Sequence, residues 1–178
     1  MTKFTLNGIA TMVTIDDLVQ ELEHETDATR RTLERVPNDK MDWRPHEKSM
    51  TLGQLAMHVA TIPGTLARLS TVPSFEVGTP IPRPTATSTE GLLEALSASV
   101  ADAKAVLVGM GDAGLIVPWR MTMGDTEIGA MPRNVFLRSV LFNHWYHHRG
   151  QLTVYLRQTG ALVPAIYGAS ADELPFQR

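Results

Sequence analysis

The sequence of 178 residues contains no cysteine. Disulfides, thiolate ligands and a cysteine nucleophile are therefore excluded, and histidine and carboxylate remain as the metal-binding side chains. Any thiol used in a reaction must come from outside the chain. The sequence also lacks a run of about 18 apolar residues, the length that a membrane span needs, and it does not begin with a basic region followed by an apolar one. We therefore expect a soluble cytoplasmic protein without a membrane partner.

The sequence also has no large excess of positive or of negative side chains. Sixteen basic and nineteen acidic side chains give a formal net charge of −3, and no run of basic residues occurs. Because nucleic-acid binding depends on clustered basic side chains, we expect no nucleic-acid partner. Hydrophobic residues make up 43% of the chain. Its length suits one domain with a substantial core, so we predict a single domain over residues 1–178.

Apolar residues recur at helical spacing in four segments of the chain. Helices are predicted near 14–36, 51–70, 89–110 and 132–159. The second begins with Thr51, and Gln54 follows it at the spacing of a capping box. Four helices joined by two long connections predict an all-α four-helix bundle.

The two long connections leave alternatives open. Residues 72–88 are rich in proline and lack helical periodicity, so they form either an ordered loop or flap over a pocket, or a simple connector. In the second connection, Gly124 and Asp125 separate two short stretches, which predicts a small hairpin or an irregular crossing loop.

Two histidines, His144 and His148, lie four residues apart on the fourth predicted helix. Residues at this spacing share one helix face with Cβ atoms roughly 5–6 Å apart, so both imidazoles can reach one cation. A metal site needs a further ligand, and His58 on the second predicted helix is the best candidate. Each histidine could instead be a core residue bonded to a carbonyl. His147 lies about 100° around the helix and is interpreted as a neighbour of the ligands or a surface residue.

The neighbours of these histidines favour the metal interpretation. All three lie on stripes of apolar residues that face the interior of the predicted bundle. The stripes consist of Leu55, Val59 and Ile62 on the second helix and Leu141, Leu152 and Tyr155 on the fourth. Interior imidazoles need polar partners, and a shared cation would supply one.

Two runs of the sequence, WRPHEKSMTLGQLAMH over 43–58 and HWYHHRGQL over 144–152, resemble the DinB family. The resemblance implies a four-helix bundle of the DinB and YfiT-like type. It also implies a divalent metal, nickel or zinc, held by one histidine of the second helix and two of the fourth. On this sequence the implied ligands are His58, His144 and His148. The Arg-x-Gln that follows His148 favours it over His147.

The resemblance leaves three functions open. Relatives use low-molecular-weight thiols such as bacillithiol or mycothiol as S-transferases or isomerases, and others are regarded as metal-dependent hydrolases. We expect a metal-dependent enzyme that transfers a thiol to a small electrophilic molecule. The alternatives are a hydrolase that uses hydroxide, since a zinc site can lower the pKa of water to about 7, and a non-enzymatic stress-response protein that only binds metal.

Other charged residues are weaker candidates for the site. Arg149 follows a predicted ligand and could hold an anionic substrate as a catalytic residue, or it could form a surface ion pair. Glu21, Glu25 and Glu47 are candidate general bases, but we expect each to be a solvated charge.

The family resemblance also implies a homodimer, and the apolar residues of the third predicted helix favour one as well. Leu92 and Leu93 make its apolar stripe wider than one core face requires.

Overall fold

The computed structural model describes residues 13–81 and 84–174. Its helices are α1 (Ile15–Leu33), α2 (Leu52–Thr71), α3 (Thr89–Leu115), α4 (Arg133–Phe136) and α5 (Asn143–Gln158). A π-helix over Leu137–Phe142 joins α4 to α5. Residues 133–158 are therefore continuously helical and are called the fourth helix below. No helix in the described part of the chain is long and apolar enough to cross a membrane.

The helix starts follow from local sequence. Thr14 and Thr51 each close a capping box, with Asp17 and Gln54 as their respective partners. These pairs satisfy backbone N–H groups that have no partner inside the helix. The third helix, predicted to end near residue 110, is interrupted at Gly111, where φ is 61° and ψ is 169°, although α3 as a whole extends to Leu115.

A small sheet corrects the expectation of an all-α fold. Its strands β1 (Ser74–Glu76), β2 (Pro118–Met123) and β3 (Thr126–Pro132) lie in the order β1-β2-β3. β2 and β3 form the hairpin that was one of the two alternatives, with Gly124 in its turn at φ 57°. β1 pairs in parallel with β2 and comes from the proline-rich connection. Three residues are too few for a strand periodicity, so the sequence did not predict β1.

The helices share one hydrophobic core. Leu92 is completely buried in it, and Leu93 packs against it from a half-buried position. Leu92 therefore belongs to the core, and the half-buried Leu93 lies at its edge. The homodimer stays a prediction that rests on the family resemblance.

α2 continues through Pro63, which has no N–H group to donate to the carbonyl of Val59. The indole N–H of Trp145, on α5, donates to that carbonyl at 2.9 Å. One residue after the proline, the N–H of Gly64 donates to Ser99 Oγ on α3 at 2.8 Å. Neighbouring helices thus supply hydrogen bonds at the point where proline disturbs α2.

Candidate metal centre

The three predicted histidines meet at one point between α2 and α5. One donor nitrogen from each of His58, His144 and His148 lies within 4.8 Å of the other two, and all three residues are half-buried. Nε2 of His58 is 3.2 Å from Nε2 of His144. The rings of His58 and His144 are nearly perpendicular, at 88°. The fold therefore brings together residues that are far apart in sequence.

This arrangement fits a shared divalent cation. Two imidazole nitrogens, each about 2.1 Å from one cation at tetrahedral or octahedral angles, lie about 3.0–3.4 Å apart. The observed 3.2 Å between His58 and His144 falls in that range. Imidazole nitrogens suit zinc and nickel. In the described residues, no other group of three or more His, Asp or Glu side chains brings its donor atoms this close.

His144 is held in the neutral form. Burial lowers its pKa to about 4, and repulsion from positive charge on His148 and His147 contributes to the same shift. At neutral pH its imidazole therefore keeps a nitrogen lone pair, which a metal ligand requires.

Gln151 orients His148. Its Oε1 lies 2.8 Å from Nδ1 of His148, and an amide oxygen can only accept, so Nδ1 carries the proton. Nε2 is then the unprotonated nitrogen, the one that can ligate a cation. In the sequence, the Arg-x-Gln motif favoured His148 over His147 as a ligand, but no role for the Gln151 side chain was predicted. Its spacing of three residues from His148 on a helix was the available signal.

His147 does not join the cluster. It is exposed on α5, although its ring centroid is 4.9 Å from that of His148. This position agrees with its interpretation as a neighbour of the ligands at the surface.

A cavity of about 390 Å³ lies beside the three histidines. Most of its lining comes from α2, the fourth helix and the sheet. Phe75 and Ile81, from the proline-rich connection, line it as well. This part of the connection therefore covers a pocket, as the first of its two alternatives predicted.

Arg149 lies away from the cavity, in the buried interface between α1 and α5. Its guanidinium forms an ion pair of 2.6 Å with Glu25 and donates to Thr29 and to the hydroxyl of Tyr167. Only 2% of its side chain is exposed. The alternative interpretation of Arg149 predicted an ion pair at the surface. The ion pair exists, but it is buried, so the predicted location was wrong. The catalytic role of Arg149 stays a prediction, and these contacts favour a structural role.

The three candidate general bases also lie outside the cavity lining. Glu21 accepts two hydrogen bonds from Arg138, of 2.6 and 2.5 Å, and these lower the pKa of its carboxyl group. Glu25 is buried against Arg149, so the expectation that it is solvated was wrong. Glu47 is exposed, as expected.

Comparison with known proteins gives one family. The model of the DinB family matches residues 10–175. The uncharacterized protein YrdA of Bacillus subtilis strain 168 is 30% identical over 161 residues, which cover 90% of this chain and 92% of YrdA.

Solved structures of DinB-like proteins have a similar fold. One from Bacillus cereus ATCC 10987 superposes with a TM-score of 0.68 at 26% identity, covering 86% of this chain and 98% of the other. The DinB-like protein YjoA of B. subtilis superposes with a TM-score of 0.62 at 19% identity, covering 89% and 95%. At that identity, the likeness to YjoA concerns the fold alone.

Proposed function

The chain belongs to the DinB family, and we propose that it is a divalent-metal-dependent enzyme whose cation is held by His58, His144 and His148. The reaction we propose is thiol-dependent S-transfer to a small electrophilic molecule. One observation carries the proposal: three imidazole donors lie within 4.8 Å of one another beside a cavity large enough for a small molecule.

A bound nickel or zinc ion would act as a Lewis acid and lower the pKa of a thiol or of water at the site. The chain itself supplies the three imidazoles that would hold this ion. Because the sequence contains no cysteine, the sulfur nucleophile must be a low-molecular-weight thiol that enters as co-substrate. The thiol loses its proton to solvent and its sulfur bonds to the electrophilic carbon. The leaving group departs with the electron pair of the broken bond.

The cavity lining favours a thiol over water as the nucleophile. No Asp or Glu side chain belongs to the lining among the described residues, so a carboxylate general base is missing there. Unbound, a thiol has an ordinary pKa of about 8.5 and water one of about 15.7, so a thiol needs a smaller lowering of its pKa by the metal to ionise at neutral pH. A thiol therefore depends less on a general base than water does.

Metal analysis and an activity assay on untagged protein test the proposal. Protein loaded with nickel or zinc is mixed with 1-chloro-2,4-dinitrobenzene, with and without free cysteine, and chloride release is followed. We expect turnover only when metal and thiol are both present. His144→Ala should lose metal and turnover, whereas the exposed neighbour variant His147→Ala should keep both.

The same experiment separates the alternatives. Hydrolysis of an activated ester without any thiol, lost in His144→Ala, would favour the hydrolase. Metal retention without turnover in either assay would favour a protein that only binds metal.

A further inference from the structure

The cavity beside the histidines is elongated. On α2 its lining begins at His58 and ends at Leu69, which at 1.5 Å per residue is about 16 Å along the helix. On the fourth helix the lining includes His144 and, farther from the histidines, Phe136. Both helices thus lead from the three imidazoles toward the sheet. The histidines lie at one end of the cavity, and Leu69 and Phe136 at the other.

The far end of the cavity is aromatic. The ring of Trp119, on β2, lies 4.4 Å from that of Phe136 and 6.4 Å from that of Phe75, measured between centroids. Trp119 is buried, and its indole N–H donates to the carbonyl of Leu69 at 3.0 Å. Because this polar group is already satisfied by the protein, the three rings offer a ligand only apolar contact and π surface.

The lining contains no Asp, Glu, Lys or Arg among the described residues. Apart from the histidines, its polar side chains are Thr61 and Thr65, and the Thr61 hydroxyl already donates to the carbonyl of Met57 at 2.9 Å. A charged group placed beyond the histidines would lose its hydration without gaining an ionic partner. A neutral apolar group would gain from leaving water.

The volume also indicates the size of the ligand. An engineered apolar cavity of about 150 Å³ holds one benzene molecule, and the cavity here has about 390 Å³. There is room for a fused or substituted aromatic ring together with a reacting group.

We infer that the site takes an uncharged, elongated, largely apolar molecule with an aromatic ring at the end formed by Phe75, Trp119 and Phe136. The single polar reacting group of this molecule reaches the three histidines. The role of that reacting end rests on the proposed function, whereas the binding of the aromatic body rests only on the cavity.

Calorimetric titration of the metal-loaded protein tests the inference with two probes of similar shape. The probes are 2-naphthol, which is neutral at pH 7, and 2-naphthalenesulfonate, which is anionic. We expect 2-naphthol to bind at least about tenfold more tightly, because only the sulfonate carries a charge into the apolar cavity. Equal or tighter binding of the sulfonate would overturn the inference.

Variants of α2 locate the binding. Thr65→Asp adds a charge to the lining and should weaken 2-naphthol binding at least about tenfold, whereas the isosteric Thr65→Val should preserve it. Thr71→Asp places the same charge on the exposed end of α2 and is the matched control. If Thr65→Asp fails to fold, Phe75→Ala replaces it, with the same loss expected. Unchanged affinity in a folded Thr65→Asp protein, or in Phe75→Ala, would contradict the inference.

Metal analysis of the same samples separates this inference from the proposed function. Thr65→Asp should keep its metal, and His144→Ala should lose the metal but still bind the naphthol ring. Charge-dependent naphthol binding in a protein that never retains metal would refute the proposed function and support the inference. Metal retention without any naphthol binding would refute the inference and leave the metal site standing.

Discussion

The indole N–H of Trp145 donates a 2.9 Å hydrogen bond to the carbonyl of Val59. This carbonyl is free to accept because Pro63, four residues later, has no N–H group. Val59 directly follows His58 on α2, and Trp145 directly follows His144 on α5. The bond thus joins the two helices next to the candidate ligands. It therefore helps to set the separation of the two helices that carry the candidate ligands, and metal sites depend on such supporting contacts for their geometry.

Replacing Trp145 by Phe tests this support. The variant keeps most of the apolar bulk but leaves the buried Val59 carbonyl without its donor, which should cost about 1–3 kcal/mol of unfolding free energy. Metal affinity should fall as well. Urea denaturation and metal titration measure the two effects, and the half-buried Trp43→Phe is the control. Unchanged affinity in Trp145→Phe would show that the bond does not position the histidines.

Gln151→Leu tests the orientation of His148. Without the amide oxygen, Nδ1 of His148 loses an acceptor, and the tautomer with a lone pair on Nε2 is no longer favoured. Loss of such a partner typically costs about 10–100-fold in metal affinity. Gln158→Leu, at an exposed position at the end of α5, is the control and should bind metal normally. Equal affinity in both variants would remove the role assigned to Gln151.

Glu25→Ala tests the structural role of the buried ion pair. It leaves the guanidinium of Arg149, only 2% exposed, without its carboxylate. Breaking a buried pair in this way should cost about 3–5 kcal/mol of unfolding free energy. The control Glu23→Ala removes an exposed carboxylate of α1, which pairs with Lys104 of α3, and should cost at most about 1 kcal/mol. Unchanged stability with lost turnover in Glu25→Ala would instead favour a catalytic role for the pair.

The ion pair between Glu21 and Arg138 should make stability depend on pH. Hydrogen bonds from Arg138 lower the pKa of Glu21 below its ordinary value of 4.5. A carboxyl group whose pKa is lower in the folded state stabilises the fold above the unfolded value, and this stabilisation is lost as the pH falls through the folded value.

Glu21→Gln should therefore reduce stability at pH 7 by about 1 kcal/mol or less, since the pair is partly exposed. The difference from the unaltered protein should shrink below pH 4.5. Urea denaturation at a series of pH values measures it, with the exposed Glu94→Gln as control. A difference that stays constant with pH would contradict the assignment.

Much of the helical framework could be predicted from local sequence. The capping boxes at Thr14 and Thr51 and the stop at Gly111 involve residues within one turn of each other, so each acts wherever the helix lies in the fold. The same holds for His144 and His148, because a spacing of four residues places two side chains on one helix face in any context. The apolar stripe of the second predicted helix made His58 the best candidate for their partner, and the family resemblance implied the same residue.

Contacts between distant segments were decided only by the tertiary structure. The ion pair that buries Arg149 joins residues 124 positions apart, and β1 pairs with a strand more than 40 residues later. Local periodicity contains no information about such partners, since burial and pairing depend on which surfaces the packed helices bring together. For the same reason, the sequence determined only that His58 lies on a helix among apolar neighbours. The packing of α2 against α5 placed Nε2 of His58 3.2 Å from Nε2 of His144, beside a cavity lined without charged side chains among the described residues.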